Sequence, residues 1–351
     1  MGKTNRTIRP GGIRGSDYLI TGTVKSTASR LTLKLRLFNV NAKRMVLAKR
    51  YKGKPEEAGR MVDHFSNAVM EKVAGWPGFF GSEIVFCSGP KDNQQIMKTT
   101  FVGGRGVRVS EGKGRRNALP TVGPDGSVAW VRRDGENWNL VRDGRVVASG
   151  GLHLSPAFMP DETLVAAKSE QAKISIYAFS ENEQKPLLAL GGISASPTFS
   201  PDGGQMAVAS NKDGIISIFI APASGVGEVR RLTSRAKATA PAWSPTGEYI
   251  SFVSRETDIC IIRPDGTGFR QLPMRNAVNH RPSFLPDGRM IVFSSTRNGR
   301  SQLFTMHVNG EKQQPLMPNN PEGQEQPYWS PAGPGYYDKF PGVTDILPAA
   351  E

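Results

Sequence analysis

The chain has 351 residues, and its 45 Lys and Arg outnumber its 31 Asp and Glu, which gives a formal net charge of +14 at pH 7. Its 39 Gly and 26 Pro are typical of many short strands joined by tight turns and argue against a helical protein. No apolar run approaches the roughly 20 residues that span a bilayer. The start of the chain as given lacks the apolar core of a secretory signal peptide, so the sequence does not predict one.

The positive charge is concentrated near the N-terminus. Residues 1–54 contain 14 Lys and Arg against a single acid, Asp17, whereas residues 55–351 contain 31 basic residues against 30 acids. A basic face in the first segment could meet RNA, anionic lipid headgroups or an acidic protein. An ordinary solvated sheet face is the alternative that the residues leave open.

The first part of the chain predicts a small α+β domain over residues 1–78. Alternating apolar and polar residues predict three strands, at 17–26, 30–40 and 45–53. Pro55 opens a helix with an apolar stripe, which ends at Gly75. Three strands and one helix make a marginal core, so we expect this domain to be incomplete, with a strand and a helix missing upstream.

Six copies of a short phrase follow, each with the pattern Pro-x-x-x-Pro and most continuing into a Gly-containing turn and an apolar strand. Their first prolines are Pro120, Pro156, Pro197, Pro241, Pro282 and Pro327. The second prolines are separated by 36, 41, 44, 41 and 45 residues. Periods of about 40 to 50 residues built from short strands indicate a β-propeller.

The number of blades follows from the two ends of the repeat array. Strand-like segments over 83–118 precede the first phrase, and the last phrase has little chain after it. Pairing the last strand with the early ones completes a blade and removes two exposed sheet edges. The prediction is a mainly β protein, with a six-bladed β-propeller over 79–337 preceded by the incomplete α+β domain and followed by a tail over 338–351.

Residue types within the phrases have structural explanations. Pro presets φ in the turn, Asp accepts backbone hydrogen bonds and Gly takes a positive φ. Aromatic residues at one equivalent position are expected to pack between adjacent blades, namely Phe158, Phe199, Trp243, Phe284 and Trp329. Cys87 and Cys260 lie in apolar strands of distant repeats, and two buried free thiols are predicted rather than a disulfide.

The sequence lacks the motifs of several enzyme classes. It contains no Gly-x-Ser-x-Gly nucleophile elbow, no Gly-x-x-x-x-Gly-Lys-(Ser/Thr) phosphate loop and no Cys-x-x-Cys or Cys/His cluster. We therefore predict no catalytic residue, no metal and no cofactor.

Polar residues recur just before the innermost strands and are the candidate binding residues. The residues three before each first proline are Asn117, His153, Ser194, Ala238, Asn279 and Gln324, and Thr239, His280 and Glu325 adjoin three of them. Residues that enter innermost strands meet at one mouth of a propeller channel. A polar ring at this mouth is the prediction, and ordinary loop polarity is the alternative.

The order of these parts resembles the TolB family, the propeller component of the Tol–Pal cell-envelope system of Gram-negative bacteria. The N-terminal segments GSDYLITGTVKS, RLTLKLRLFNV and AKRY are similar to the latter half of its α/β domain. The junction EKVAGWPGFFGSEIVFCS and the repeated SPDG-like phrases also match. The resemblance covers nearly the whole chain from Gly15 to about Pro331.

The resemblance implies a non-enzymatic periplasmic protein. Its propeller would bind the peptidoglycan-associated lipoprotein Pal at the channel mouth and support outer-membrane integrity and cell division, with no nucleic acid as partner. A TolA-like inner-membrane protein is a further implied partner, although the segment that contacts it is not evident here. Two alternatives remain at this point: a propeller enzyme of the lactonase or lyase type with a channel metal, and a binder of RNA or anionic lipid through the basic face.

Overall fold

The computed structural model describes residues 6–7, 17–75, 78–101, 106–112, 115–180, 183–234, 237–274, 277–330 and 342–346. The chain divides into two compact units, one of Met1–Gly81 with Pro334–Glu351 and the other of Ser82–Gly333. The division after Gly81 lies close to the boundary after residue 78 that the sequence predicts.

The described elements are 29 strands, the helix α1 (Ala58–Ala74) and two short 3-10 turns at Pro55–Glu57 and Lys91–Asn93. The strands are β1 (Arg6–Thr7), β2 (Tyr18–Ser26), β3 (Leu31–Asn39), β4 (Arg44–Gly53), β5 (Glu83–Ser88), β6 (Gln95–Thr100), β7 (Val107–Arg108), β8 (Arg116–Val122), β9 (Val128–Asp134), β10 (Asn137–Arg142), β11 (Arg145–Ala148), β12 (His153–Phe158), β13 (Leu164–Glu170), β14 (Lys173–Phe179), β15 (Gln184–Leu188), β16 (Ser194–Phe199), β17 (Gln205–Ser210), β18 (Ser217–Pro222), β19 (Arg230–Arg231), β20 (Ala238–Trp243), β21 (Ile250–Ser254), β22 (Asp258–Ile262), β23 (Arg270–Gln271), β24 (Asn279–Phe284), β25 (Met290–Ser295), β26 (Gln302–His307), β27 (Gln314–Pro315), β28 (Gln324–Trp329) and β29 (Val343–Asp345).

The first unit is an antiparallel sheet with strand order β1-β2-β3-β4-β29, covered on one face by α1. Leu33 and Leu37 of β3 pack with Tyr51 of β4 and with Met61 and Phe65 of α1. The alternation of β3 predicts this face, because successive side chains of a strand point to opposite sides.

Part of the predicted C-terminal tail belongs to the first unit's sheet. Val343 of β29 lies opposite Tyr51 of β4, and three residues of the predicted tail thus extend the first unit's sheet. The physical reason is that β4 would otherwise be an edge strand with unpaired backbone groups.

The described part of the second unit contains six four-stranded antiparallel sheets. Numbered by their innermost strands, they are sheet I (β8–β11), sheet II (β12–β15), sheet III (β16–β19), sheet IV (β20–β23), sheet V (β24–β27) and sheet VI (β28, β5, β6 and β7). In sheet VI the last strand of the unit pairs with the first, with Gln324 opposite Ser88 and Trp329 opposite Ile84. The sequence predicts this pairing, because the strand-like segments over 83–118 precede the first phrase and the last phrase has little chain after it.

Neighbouring sheets pack together through apolar clusters that each draw on two sheets. Phe158 joins sheets I and II, Phe199 joins II and III, Trp243 joins III and IV, and Phe284 joins IV and V. Between sheets VI and I, Cys87 packs with Trp130. The predicted position of the aromatic residues between sheets is confirmed for these four, and the fold is that of a β-propeller.

The turns after the phrases have the predicted chemistry. Gly126, Gly203, Gly247 and Gly288 have φ between 73° and 83°, and each N–H bonds the carbonyl three residues earlier. Sheet II departs from the pattern, because Glu162 takes this left-handed position with φ of 70°. The equivalent turn of the sixth phrase lies outside the described residues.

Candidate functional site

A cavity of about 300 Å³ lies at the centre of the second unit. Its walls come from all six innermost strands, β8, β12, β16, β20, β24 and β28, and from the prolines of the six phrases. Each innermost strand also contacts the next in this order, and β28 contacts β8. The six innermost strands therefore line one cavity, and the central cavity of a propeller can hold a ligand or the end of a partner.

Every innermost strand has a β-bulge just before its first proline. In sheet I, for example, the register shifts between Ala118 and Thr121. The residue before each first proline has φ between 47° and 59°, and all six line the cavity. These six residues, here called the channel ring, are Leu119, Ser155, Ser196, Ala240, Arg281 and Gln326. The bulge rotates their side chains into the channel, a common use of bulges at functional sites.

Five of the predicted polar residues do not face the channel mouth, because the structure buries them. Asn117, His153, Ser194, Asn279 and Gln324 are each 0% exposed, and Ala238 is 1% exposed. The polar ring predicted at the channel mouth is therefore not formed by exposed side chains at these positions. An extended strand starting three residues before proline would place them at the rim, but the bulge changes the alternation in every innermost strand.

These buried polar groups connect strands and sheets. Asn117 donates from Nδ2 to the Gln94 carbonyl at 2.9 Å and accepts at Oδ1 from the indole N–H of Trp130 at 2.9 Å. His153 donates from Nδ1 to the Trp138 carbonyl at 2.9 Å. Side chains with partners of this kind stabilise the fold and are not available to a partner protein.

The other three buried polar residues have the same structural role. The Ser194 hydroxyl donates to Ser210 Oγ at 3.3 Å, and Asn279 Nδ2 donates to the Thr257 carbonyl at 2.7 Å. Gln324 Oε1 accepts from the Leu303 N–H at 3.2 Å. These bonds join the start of an innermost strand to its own or a neighbouring sheet.

Three of the predicted site residues remain accessible, and each directly follows one of the buried residues in the chain. Thr239 and Glu325 are half-buried and His280 is exposed. They occur in the consecutive sheets IV, V and VI, where Glu325 Oε2 accepts from Gln94 Nε2 at 3.3 Å. In sheets I to III the equivalent residues are Ala118, Leu154 and Ala195. At this position sheets IV to VI therefore carry polar side chains, and sheets I to III carry apolar ones.

Sequence reasoning missed the channel ring. Its signal was available, since each member is the residue directly before the first proline of a phrase. A regular strand was assumed there, and a non-glycine residue with positive φ before proline is not what local preferences suggest. The tertiary requirement that six strands converge on one axis overrides those preferences.

The two cysteines are free and buried, as the sequence predicts. Burial raises the pKa of the Cys87 thiol to about 12, and burial together with the charge of Asp258 raises the pKa of Cys260 to about 12. Both thiols therefore stay protonated at neutral pH and are poor nucleophiles.

Within the residues that the structure describes, no group of three or more His, Cys, Asp or Glu side chains lies close enough together to hold a metal ion. No helix among the same residues has the length and hydrophobicity to cross a bilayer.

Comparison with known proteins agrees with this architecture. A family model described as the TolB beta propeller domain matches residues 140–333. A Chlorobium luteolum protein named "Protein TolB homolog" is 30% identical over 345 residues, covering 94% of this chain and 78% of that protein. The "Tol-Pal system protein TolB" of Desulfosudis oleivorans is 32% identical over 160 residues, which are 44% of this chain and only 36% of that protein.

The crystal structure of TolB from Acinetobacter baumannii shows the same fold. It superposes with a TM-score of 0.80 at 22% identity, covering 90% of this chain and 83% of that one. The chain is thus a mainly β protein with a TolB-like propeller. It belongs to the TolB family, whose members are non-enzymatic components of the Tol–Pal system.

Proposed function

We propose that this protein binds a Pal-like peptidoglycan-associated lipoprotein at one mouth of the propeller channel. In this role it supports outer-membrane integrity and cell division as part of a Tol–Pal system, and it acts in the periplasm. The observation that carries the proposal is the similarity to a TolB homologue along 94% of the chain. A TolA-like partner remains a prediction from the same family membership.

The polar side of the mouth is the surface that fits a protein partner best. His280 is exposed on sheet V. The negative charges of Glu325 on sheet VI and Glu256 on sheet IV act on its imidazole and favour the protonated form. Glu256 forms an ion pair with Lys237, so charged groups of both signs extend across three sheets. Such a mixed polar surface beside apolar positions is typical of a non-obligate protein interface.

We propose further that the six sheets are the six blades of one closed ring. The contact of β28 with β8 supports this, as does the Leu119 N–H of sheet I, which donates to Gln326 Oε1 of sheet VI at 2.7 Å. A closed ring protects the edges of the innermost strands and holds the mouth residues at fixed separations, which lowers the entropic cost of binding.

Calorimetric titration with the soluble domain of a Pal-like lipoprotein from the same organism tests the binding proposal. We expect saturable one-to-one binding, with a double variant His280→Ala and Glu325→Ala weakening it at least tenfold. Glu248→Ala, in the turn between β20 and β21 at the other end of the innermost strand, is an exposed matched control and should bind like wild type. Absence of binding by the folded wild-type chain would overturn the proposal.

No contact in the described residues favours the propeller-enzyme alternative. The basic-face alternative has one supporting feature, the cluster of cations on the first unit's sheet. These cations also affect the stability of that sheet.

A further inference from the structure

Arg281 is the one charged member of the channel ring. Its side chain is half-buried and lines the cavity, and no described residue forms a hydrogen bond or ion pair with its guanidinium. Removal from bulk water lowers the pKa of Arg281 to about 10, because burial disfavours the charged form. An enclosed cation without a partner carries a desolvation cost that an anion in the channel would offset.

A second free donor lies beside this cation. Gln326, the ring residue of the next sheet, accepts at Oε1 from the Leu119 N–H at 2.7 Å and from Cys87 Sγ at 3.3 Å. These two bonds fix which end of the amide is the oxygen, so its NH₂ group is left without a partner among the described residues. The charge of Arg281 opposes the rise that burial causes in the pKa of Cys87, and the Cys87 thiol donates to Gln326 Oε1, so both ring residues interact with the same thiol.

We propose that Arg281 and Gln326 form a carboxylate-binding site in the channel. A guanidinium matches the two oxygens of a carboxylate, and the Gln326 amide would donate a further hydrogen bond to one of them. The neighbouring ring residue Ala240 is small and leaves space on the other side of Arg281. The cavity of about 300 Å³ admits a small carboxylic acid or one acidic side chain.

The site does not depend on the lipoprotein proposal, since its ligand can come from either of two sources. A free small carboxylate would bind to the protein alone. An acidic side chain of an inserted peptide would present the same chemical group, and the experiment therefore includes a probe for each source.

Thermal unfolding of the full chain in sodium malonate, against sodium chloride at equal ionic strength, tests the site. We expect malonate to raise the Tm of the wild type saturably, because a ligand of the folded state stabilises it. Arg281→Gln should lose this rise, and Arg145→Gln on the exposed start of β11 should keep it. Gln326→Glu retains an oxygen for the Leu119 N–H and supplies a carboxylate beside Arg281. This variant should raise the Tm in chloride and no longer respond to malonate.

The second probe is the peptide acetyl-Gly-Glu-Gly-amide, with the Gln peptide as its control. A rise in Tm with malonate alone supports the site and assigns it to small free carboxylates, and a rise with the Glu peptide but not the Gln peptide supports it and assigns it to acidic side chains. The proposal is wrong if neither probe raises the Tm above its value in sodium chloride. It is also wrong if malonate raises the Tm of both Arg281→Gln and Gln326→Glu as much as it raises that of the wild type.

Discussion

The residue three before each first proline is buried, and His153 is the one among these six that can change its charge near neutral pH. Burial lowers the pKa of His153; the hydrogen bond to the Trp138 carbonyl opposes this shift, and the positive charge of Lys168, directly opposite on β13, adds to it. The ring packs edge-on against Phe179 at 5.9 Å between centroids, and Nε2 is buried without a partner. His153 is therefore held neutral in the folded state.

This neutral histidine predicts a pH dependence of stability. The unfolded chain binds a proton at His153 below about pH 6.5, whereas the folded chain does so only at lower pH. The free energy of unfolding should thus fall as pH drops from 7.5 to 5.5, and His153→Gln should flatten that decline. Urea unfolding at several pH values measures the difference. His307→Gln, on an exposed position of β26, is the control, and an equal slope for wild type and His153→Gln would contradict the assignment.

Single residues also show what sequence could and could not predict. The turn glycines and the buried aromatics follow from local chemistry, because Pro, Asp and Gly act within a few residues of one another. The burial of Asn117 in β8 and the inward direction of Arg281 in β24 do not follow, because each of these strands has a bulge that interrupts its regular alternation. Only His280, Glu325 and Thr239 of the predicted site residues stay accessible.

At the scale of elements, the face of the first unit's sheet opposite α1 carries an excess of cations. Lys34 of β3 lies directly opposite Arg50 of β4, with Arg36 two residues further along the same face. Lys25 and Lys52 also belong to this face, since both lie opposite Thr32. Strands β2, β3, β4 and β29 contribute no acid to it. Like charges in directly opposed positions of a sheet are destabilising.

Reversing one of these charges should stabilise the protein. Lys34→Glu replaces a repulsive pair with an attractive one across β3 and β4, and we expect a gain of about 0.5 to 1 kcal/mol in the free energy of unfolding at low salt. The gain should shrink at 1 M salt, where the screening length is about 3 Å. Lys91→Glu, on an exposed 3-10 turn, should change little. Lower stability of Lys34→Glu at low salt would contradict this prediction. It would mean that groups outside the sheet neutralise these cations.

The predictability of the elements differs between the two units. The strands and helix of the first unit follow from hydrophobic periodicity, and each predicted strand begins and ends within one residue of the observed bounds. The strand β29 could not be predicted, because it depends on the long-range availability of the β4 edge and has no strong pattern of its own. Sheet VI could be predicted because its missing partner strands were evident from the count of phrases.

At the scale of the whole molecule, both proposed binding sites are formed by the strands that line the channel. The six innermost strands bring their first residues to one mouth, where Thr239, His280 and Glu325 are accessible, and their bulges turn the channel ring inward. The Pro-Asp-Gly turns follow the other ends of the same strands. A partner at the mouth and a small carboxylate in the channel would therefore contact different residues of the same strands.

Amide hydrogen exchange of the chain, alone and saturated with the Pal-like domain, locates the bound lipoprotein. Binding at the proposed mouth predicts slower exchange in the complex at 237–240, 278–281 and 323–326, which begin the innermost strands of sheets IV to VI. Exchange at the turns 124–127, 201–204 and 286–289 should be unchanged. Protection confined to those turns, or to the sheet of the first unit, would contradict binding at this mouth.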